Sequence, residues 1–198
     1  MADVGAVVGV SSLAVPETGS TTNPGQGVIA GGIAVMYNLM YQSALDSQYM
    51  YNYINAQLQI ANFTQGDAAT IQTLIAGNTA SATSTVSMNS TVYNDMLKNN
   101  ISVIDPNGGA TKSISDFLGL PANATNAQIT AVGVTNVQLT AIENALNSAH
   151  NTASNNGTQG NLQMQQILQR YSMITAMINS MQQMIFDLTQ AIAKAING

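Results

Sequence analysis

The C-terminal part of the chain carries the most regular pattern of hydrophobic positions. From about Leu162 to Ile196, apolar residues recur at alternating intervals of three and four without a miss. This spacing places them on one face of a long α-helix and is typical of helices that pack lengthwise against other helices. The positions are Met164, Ile167, Tyr171, Ile174, Ile178, Met181, Ile185, Leu188, Ile192 and Ala195. Leu168, Met177 and Met184 lie beside this stripe, so we expect the helix to contact more than one neighbour.

A second helical pattern begins at Ala30. Its apolar and small residues again alternate at intervals of three and four, which predicts a helix with one packing face. The positions are Ala30, Ile33, Tyr37, Met40, Ala44, Ser47, Tyr51, Ile54, Leu58 and Ala61. Five of the seven tyrosines fall in this segment and cover more than one face of the helix. They are either amphipathic residues at the edge of the core or part of a subunit interface, where tyrosine is favoured.

The pattern is interrupted in the middle of the chain. Gly66 is predicted to break the first helix, and residues 78–91 are rich in Ser and Thr, which are poor helix formers. Residues 99–136 contain two turn signals, Asp105–Gly109 and Gly119–Pro121, and are expected to form an exposed insert.

Two short elements are predicted inside this insert. Ile101, Val103 and Ile104 indicate a short strand, and 113–118 a short helix with Ser113 as its cap. The sequence therefore predicts a mainly α protein with an N-terminal helical arm at 28–98 and a C-terminal helical arm at 137–198. In the second arm, residues 155–160 are predicted to weaken or break the helix because they include Gly157 and Gly160.

The charge content narrows the possible functions. Only 7% of the residues are charged, and four Lys and Arg in total cannot form a track for phosphates, so nucleic acid is not an expected partner. A soluble domain normally uses charge to stay apart from its own copies, so this chain is expected to function in contact with other chains.

No catalytic, cofactor or metal site is expected. The chain has no Cys, its acids are scattered, and its one histidine, His150, has no carboxylate nearby in sequence. Residues 108–113 lack the Gly before Lys112 that a phosphate-binding loop requires. An enzyme is therefore the least favoured class.

The N-terminal residues 1–27 are rich in Pro, Gly and polar residues, which predicts a disordered tail. This tail is either a frayed terminus or an uncleaved export signal. The most apolar stretch, 28–37, is about half the length that a membrane-spanning helix needs, so no stable membrane insertion is expected.

The layout resembles a known family. It combines a polar tail, a helix rich in Met and Tyr (36–42, MYNLMYQ), the mid-chain segments 92–100 (VYNDMLKNN) and 113–118 (SISDFL), and a C-terminal arm with 137–146 (VQLTAIENAL) and 164–168 (MQQIL). In these features the chain is similar to the EspA/SseB-type filament proteins of bacterial type III secretion systems, which include EseB.

The resemblance implies a fold and a function. The two arms would pair as a long, coiled-coil-like antiparallel helical hairpin with a small irregular or α/β variable insert, and residues 1–27 would be the export tail. The protein would be secreted and would polymerise into a hollow helical filament, a bacterial surface appendage that extends the secretion needle. Its partners would be further copies of itself, a cytoplasmic secretion chaperone, the needle tip, the translocon pore proteins and the unfolded effectors in transit.

Two sets of residues are assigned on this basis. The helix-packing and assembly residues are Ile33, Tyr37, Met40, Tyr51, Ile54, Leu58, Met164, Ile167, Tyr171, Ile174, Ile178, Met181, Ile185, Leu188 and Ile192. The candidate lumen-facing residues are Gln169, Ser172, Asn179, Gln183 and Gln190. Sparse charge on that face would avoid holding a passing chain. The alternative is a tip or translocator component of the same secretion system.

Overall fold

The computed structural model describes residues 24–78 and 84–197. Its elements, in chain order, are α1 (Pro24–Gly77), β1 (Thr85–Ser87), α2 (Ser90–Lys98), β2 (Ser102–Ile104), β3 (Thr111–Ser113), α3 (Ile114–Leu118), α4 (Asn126–Ala131), β4 (Gly133–Thr135) and α5 (Asn136–Asn197). The prediction of a mainly α protein with two long helices and a small α/β insert is confirmed. The chain divides into two compact units, which are Leu39–Thr175 and the combination of Met1–Asn38 with Ala176–Gly198.

Both long helices are unbroken, so the predicted interruptions at Gly66 and at 155–160 are wrong. A lone glycine costs a helix only about 1 kcal/mol relative to alanine, and burial of flanking residues outweighs this. Thr64 and Ala68 are buried on either side of Gly66. In α5, Gly157 and Gly160 are themselves buried and serve packing, because a Cβ at Gly160 would lie 2.7 Å from Ile54 Cγ1.

Within the Leu39–Thr175 unit, α1 and α5 pair in antiparallel fashion. Ile54 meets Gly160, and the His150 ring bonds the Ala61 carbonyl, with 2.9 Å between Nδ1 and the oxygen. Farther along, Gln72 Nε2 donates to Glu143 Oε1 at 2.7 Å. Residue numbers rise on α1 as they fall on α5, which defines the antiparallel hairpin.

The hydrophobic core lies at the end of this hairpin that carries the insert. Ile71 of α1 and three residues of α5 pack with Tyr93 of α2 and with residues of the insert. The fully buried members contributed by α5 and the insert are Leu139, Ile142, Leu146, Val103, Ile114, Ile129 and Val134. The segment 99–136 therefore has a buried inner side.

The insert is held by two short antiparallel ribbons. β1 pairs with β4 and β2 with β3, with Val103 opposite Lys112. The predicted strand at 101–104 and the helix at 113–118 are confirmed, and Ser113 caps α3 by accepting from the Asp116 N–H at 3.1 Å. The described part of the Ser- and Thr-rich stretch contains β1, where β-branched residues suit a strand, and the first two residues of α2.

The other unit contains the first part of α1 and the last part of α5. Here a Cβ at Gly32 would lie 3.3 Å from Met181 Cε, and Ile178 is buried. Of the proposed tail, Pro24–Gly27 form the start of α1, where Pro fits the first helical turn. Residues 1–23 lie outside the described part of the chain.

Candidate assembly surfaces

The hairpin covers one face of α1 and leaves other apolar positions open. In the Leu39–Thr175 unit, Ile54 is buried and Met40 is half-buried, as a packing role requires. Tyr51 and Leu58, seven residues apart on one flank of this face, are 60% and 47% exposed. The structure thus assigns Ile54 to the hairpin and leaves Tyr51 and Leu58 uncovered.

A second stripe on α1 was not identified from sequence. Tyr41, Leu45 and Tyr49 follow each other at four-residue intervals and are 62%, 44% and 68% exposed. Residues four apart lie on the same face of a helix, so these three form one continuous apolar stripe. Their spacing is a usable signal in the sequence, but the predicted packing face ran through Ala44 and Ser47 and left Leu45 out.

The predicted stripe of α5 is the least exposed line of that helix. In the Leu39–Thr175 unit, Ile174 is buried, Met164 and Ile167 are half-buried, and Tyr171 is 38% exposed. The polar residues Gln169 and Ser172, which were proposed for the lumen, are exposed.

In the unit of residues 1–38 and 176–198, the same line continues. Ile178 is buried, and Leu188 is 38% exposed. The half-buried predicted residues here are Ile33, Met181, Ile185 and Ile192, whereas Tyr37, at 46%, is exposed. Beside the line, Met177 and Met184 remain uncovered at 51% and 53%.

The remaining lumen candidates lie in this second unit. Asn179, Gln183 and Gln190 are exposed, and Gln183 Nε2 donates to Asp187 Oδ1 at 3.0 Å. Phe186, which is 60% exposed, was not part of the sequence-based assignment. It lies seven residues after Asn179, so the face that carries the polar candidates also carries an aromatic side chain.

The titratable groups of the described residues do not assemble into a reactive cluster, and no group of three or more potential metal ligands occurs among them. His150 is engaged with the Ala61 carbonyl. Asp105 pairs with Lys112 across the β2–β3 turn at 2.7 Å. Hydrogen bonds from Lys112 and from the Asn107 N–H lower the pKa of Asp105.

Asp67 is different because its carboxyl group is buried, with 7% of the residue exposed. Burial, and secondarily the negative charge of Asp95 on α2, raise its pKa to about 6. Among the described residues, its Oδ2 atom has no hydrogen-bond partner. Asp67 directly precedes Ala68, a member of the hydrophobic core.

The apolar part of α1 is longer than was expected from the sequence. Its residues Gly27–Gly77 include an 18-residue window with a mean hydropathy of 1.3, and only 6% of that window is buried. By length and composition the helix could cross a membrane, whereas the sequence analysis expected an apolar stretch about half as long as that requires. The reason is that Leu39 and Met40 resume the apolar run after Asn38, and no charge occurs between Glu17 and Asp46.

Comparison of the sequence with protein-family models identifies the family of this chain. The family model described as EspA-like secreted protein matches residues 16–191, a range that covers α1, the whole insert and nearly all of α5. A search of curated proteins and a search of solved structures found no match. On the match over most of its length, the chain belongs to the EspA-like secreted protein family and is a secreted, type III secretion-associated protein.

Proposed function

We propose that the protein is a structural subunit of a secreted hollow filament that extends the type III secretion needle. The observation that carries the proposal is the exposed stripe of Tyr41, Leu45 and Tyr49 on a helix whose packing face is already occupied. Contiguous apolar surface of this kind marks a protein–protein interaction site. A helical polymer would bury it against further copies.

The two classes of packing residue have separate roles in this proposal. Ile54, Ile174 and Ile178 are buried within single copies and stabilise the hairpin. Tyr37, Tyr51, Leu58, Tyr171 and Leu188 are exposed and would pack between copies. Tyrosine suits such contacts because it combines a large apolar ring with a polar tip.

The function is structural and non-enzymatic in this proposal. A cytoplasmic chaperone would cover the exposed stripe before export. The assembled filament would connect the needle tip with the translocon pore proteins and conduct unfolded effectors. The proposed lumen surface consists of the polar residues Gln169, Ser172, Asn179, Gln183 and Gln190. These side chains are uncharged, so they would not retain a passing chain by electrostatic attraction.

Electron microscopy of the purified protein tests the proposal. Wild-type protein should form long hollow fibres, and the double variant Tyr41→Ser with Tyr49→Ser should not. The matched control, Gln65→Ser with Thr73→Ser, changes two exposed residues of the same helix, eight residues apart like the two tyrosines but outside the stripe, and should assemble normally. Equal circular dichroism of both variants would show that folding is intact. Normal fibres from the tyrosine variant would refute a role for the stripe.

A second candidate is a translocator component that inserts into membranes. The apolar window of α1 favours it. Flotation of the protein with liposomes separates the two functions. A filament subunit should remain in the dense fraction, whereas a translocator should float with the lipid and resist extraction by high salt.

A further inference from the structure

The described residues contain two asparagines that each precede a glycine with its own N–H resolved. Asn107–Gly108 lies in the turn between β2 and β3, and Asn156–Gly157 lies inside α5. An asparagine followed by glycine is chemically labile, because the nitrogen of the next residue can attack the side-chain amide and glycine has no Cβ to obstruct the approach. The two pairs occupy opposite environments, so their reactivities are expected to differ.

The turn leaves the first pair accessible. Asn107 and Gly108 are exposed, and a Cβ added at Gly108 would have nothing within 4 Å. The Gly108 N–H donates to the Asp105 carbonyl at 3.3 Å, whereas the Gly109 N–H donates to the same oxygen at 2.8 Å. The Gly108 bond is therefore the long one of the two, and the carbonyl keeps its shorter bond when the Gly108 nitrogen turns away. Releasing this nitrogen for reaction costs little.

The helix α5 restrains the second pair. An N–H in a helix interior is held by the carbonyl four residues earlier, which fixes it away from the preceding side chain. Gly157 is buried and Asn156 is half-buried, and Asn156 Nδ2 donates to Gln57 Oε1 of α1 at 3.4 Å. Reaction at Asn156 therefore requires local opening of α5, which is rare in a packed helix.

We propose that Asn107 is a site of spontaneous deamidation. The Gly108 nitrogen loses its proton to solvent and attacks Asn107 Cγ. The new N–Cγ bond closes a succinimide ring as the Cγ–Nδ2 bond breaks, and the leaving nitrogen takes up a proton and departs as ammonia. Water then opens the ring at either carbonyl carbon, which gives aspartate or isoaspartate at this position. The reaction exchanges an amide for a carboxylate and consumes only water.

The product changes the charge and the geometry of the turn. Asp105 already uses both carboxylate oxygens, since Oδ1 accepts from the Asn107 N–H at 2.9 Å and Oδ2 from Lys112 Nζ at 2.7 Å. A second carboxylate in this turn would compete for Lys112. Isoaspartate would also lengthen the main chain between Asp105 and Gly109, so their backbone bond would have to be rebuilt.

The new charge is large relative to what the chain carries. Each modified copy gains one negative charge on a net charge of −5, in a chain of which only 7% of the residues are charged. Because the ammonia is lost, the change accumulates with the age of each molecule.

Incubation of the folded, full-length chain at mildly alkaline pH tests the inference. Trypsin cleaves after Lys98, Lys112 and Arg170, so Asn107 is recovered in the peptide 99–112 and Asn156 in the peptide 113–170. Fragmentation in a mass spectrometer then measures the conversion of amide to acid at each position. Conversion at Asn107 should be more than about tenfold faster than at Asn156, because the reaction in α5 waits for local opening. In urea-unfolded protein the two rates should converge.

Two variants test the role of Gly108. Gly108→Ala adds a methyl group beside the attacking nitrogen, and the open space around Gly108 accommodates it, so the fold should be kept and most of the product at Asn107 should be lost. The control Thr111→Ser changes an exposed residue of the same tryptic peptide and should react as wild type does. Equal rates at Asn107 and Asn156 in the folded wild-type chain would overturn the inference. An unchanged yield from Gly108→Ala with normal circular dichroism would also overturn it.

Discussion

At the scale of single residues, Asp67 lies in an environment that disfavours its charged form. It precedes Ala68 of the core, its Oδ2 is buried without a partner among the described residues, and Asp95 faces it from α2. Lys98 lies three residues after Asp95 on the same helix but is exposed. The neutral carboxyl group therefore fits this position better than the carboxylate, which is why its pKa rises to about 6.

We expect Asp67 to make stability depend on pH. An acid whose folded pKa lies above its unfolded pKa stabilises the fold at low pH, and this contribution is lost as the pH rises through the folded pKa. The free energy of unfolding should thus fall by up to about 3 kcal/mol between pH 4 and pH 7, given pKa values of 3.8 and about 6.

Urea unfolding at several pH values measures this dependence. Asp67→Asn should be more stable than wild type at pH 7.5 and should lose the fall between pH 4 and pH 7. The control Asp46→Asn removes an exposed carboxylate from the same helix. Its free energy of unfolding should still fall between pH 4 and pH 7. An unchanged pH profile in Asp67→Asn would show that another group is responsible.

Two glycines should respond oppositely to alanine. A Cβ added at Gly66 would have nothing within 4 Å, so Gly66→Ala should stabilise the fold by about 0.5–1 kcal/mol through helix propensity. At Gly160 the new Cβ would lie 2.7 Å from Ile54 Cγ1, and overpacking costs about 1–3 kcal/mol. Gly160→Ala should therefore lower the thermal midpoint while Gly66→Ala raises it. Shifts of the same sign would contradict the close approach at Gly160.

At the scale of elements, the stripe of α5 after Leu162 was predictable, whereas the continuity of α5 through 155–160 was not, and the packing face of α1 was predictable only in part. The stripe of α5 has apolar residues at nearly every position, so its pattern allows one packing face. On α1, Ile54 belongs to the packing face as predicted. The other residues of that face include Ser43 and Gln57, whereas the predicted Tyr51 and Leu58 are exposed. Both lines have the same spacing, and hydrophobicity favours the tyrosine line. The line with Ser43 and Gln57 packs inward because this side of α1 comes into close contact with Gly157 and Gly160 of α5. The hydrophobic pattern of one helix contains no information about such a contact.

The groove between β2 and α5 was also not predicted from the sequence. The strand at 102–104 and the turn that follows it were predicted, but local patterns do not say which helix a strand lies beside. The groove depends on the placement of β2 beside residues 137–153 of α5, across more than thirty positions of the chain. Such non-local contacts follow from the closure of the core around Val103 and Leu139.

Breaking α5 should abolish assembly. Proline in a helix interior removes a hydrogen bond and costs about 3 kcal/mol or more. Ile178→Pro is therefore expected to eliminate fibres in electron microscopy, because it disrupts a buried position of the packing stripe. Ile178→Val keeps the helix and most of the buried volume, and it should assemble. Fibres of normal length from Ile178→Pro would show that an uninterrupted α5 is not required.

At the scale of the whole molecule, the exposed surface of this secreted protein is largely apolar or neutral. With 7% charged residues and a net charge of −5, copies repel each other only weakly. The described residues contain one salt bridge, between Asp105 and Lys112 inside the insert. Contacts between copies are therefore expected to depend on apolar burial through residues such as Tyr41 and Tyr49.

This expectation gives assembly a distinct response to salt and temperature. Ionic contacts weaken when the Debye length falls from about 10 Å at 0.1 M salt to about 3 Å at 1 M. Apolar contacts persist in salt but weaken on cooling. Sedimentation of preformed fibres should thus show little loss at about 1 M NaCl and a clear release of subunits near 4 °C. The Gln65→Ser, Thr73→Ser control should behave as wild type in both conditions. Fibres that dissolve in salt and survive cooling would instead place charged residues, such as Asp46 or Arg170, at the contacts between copies.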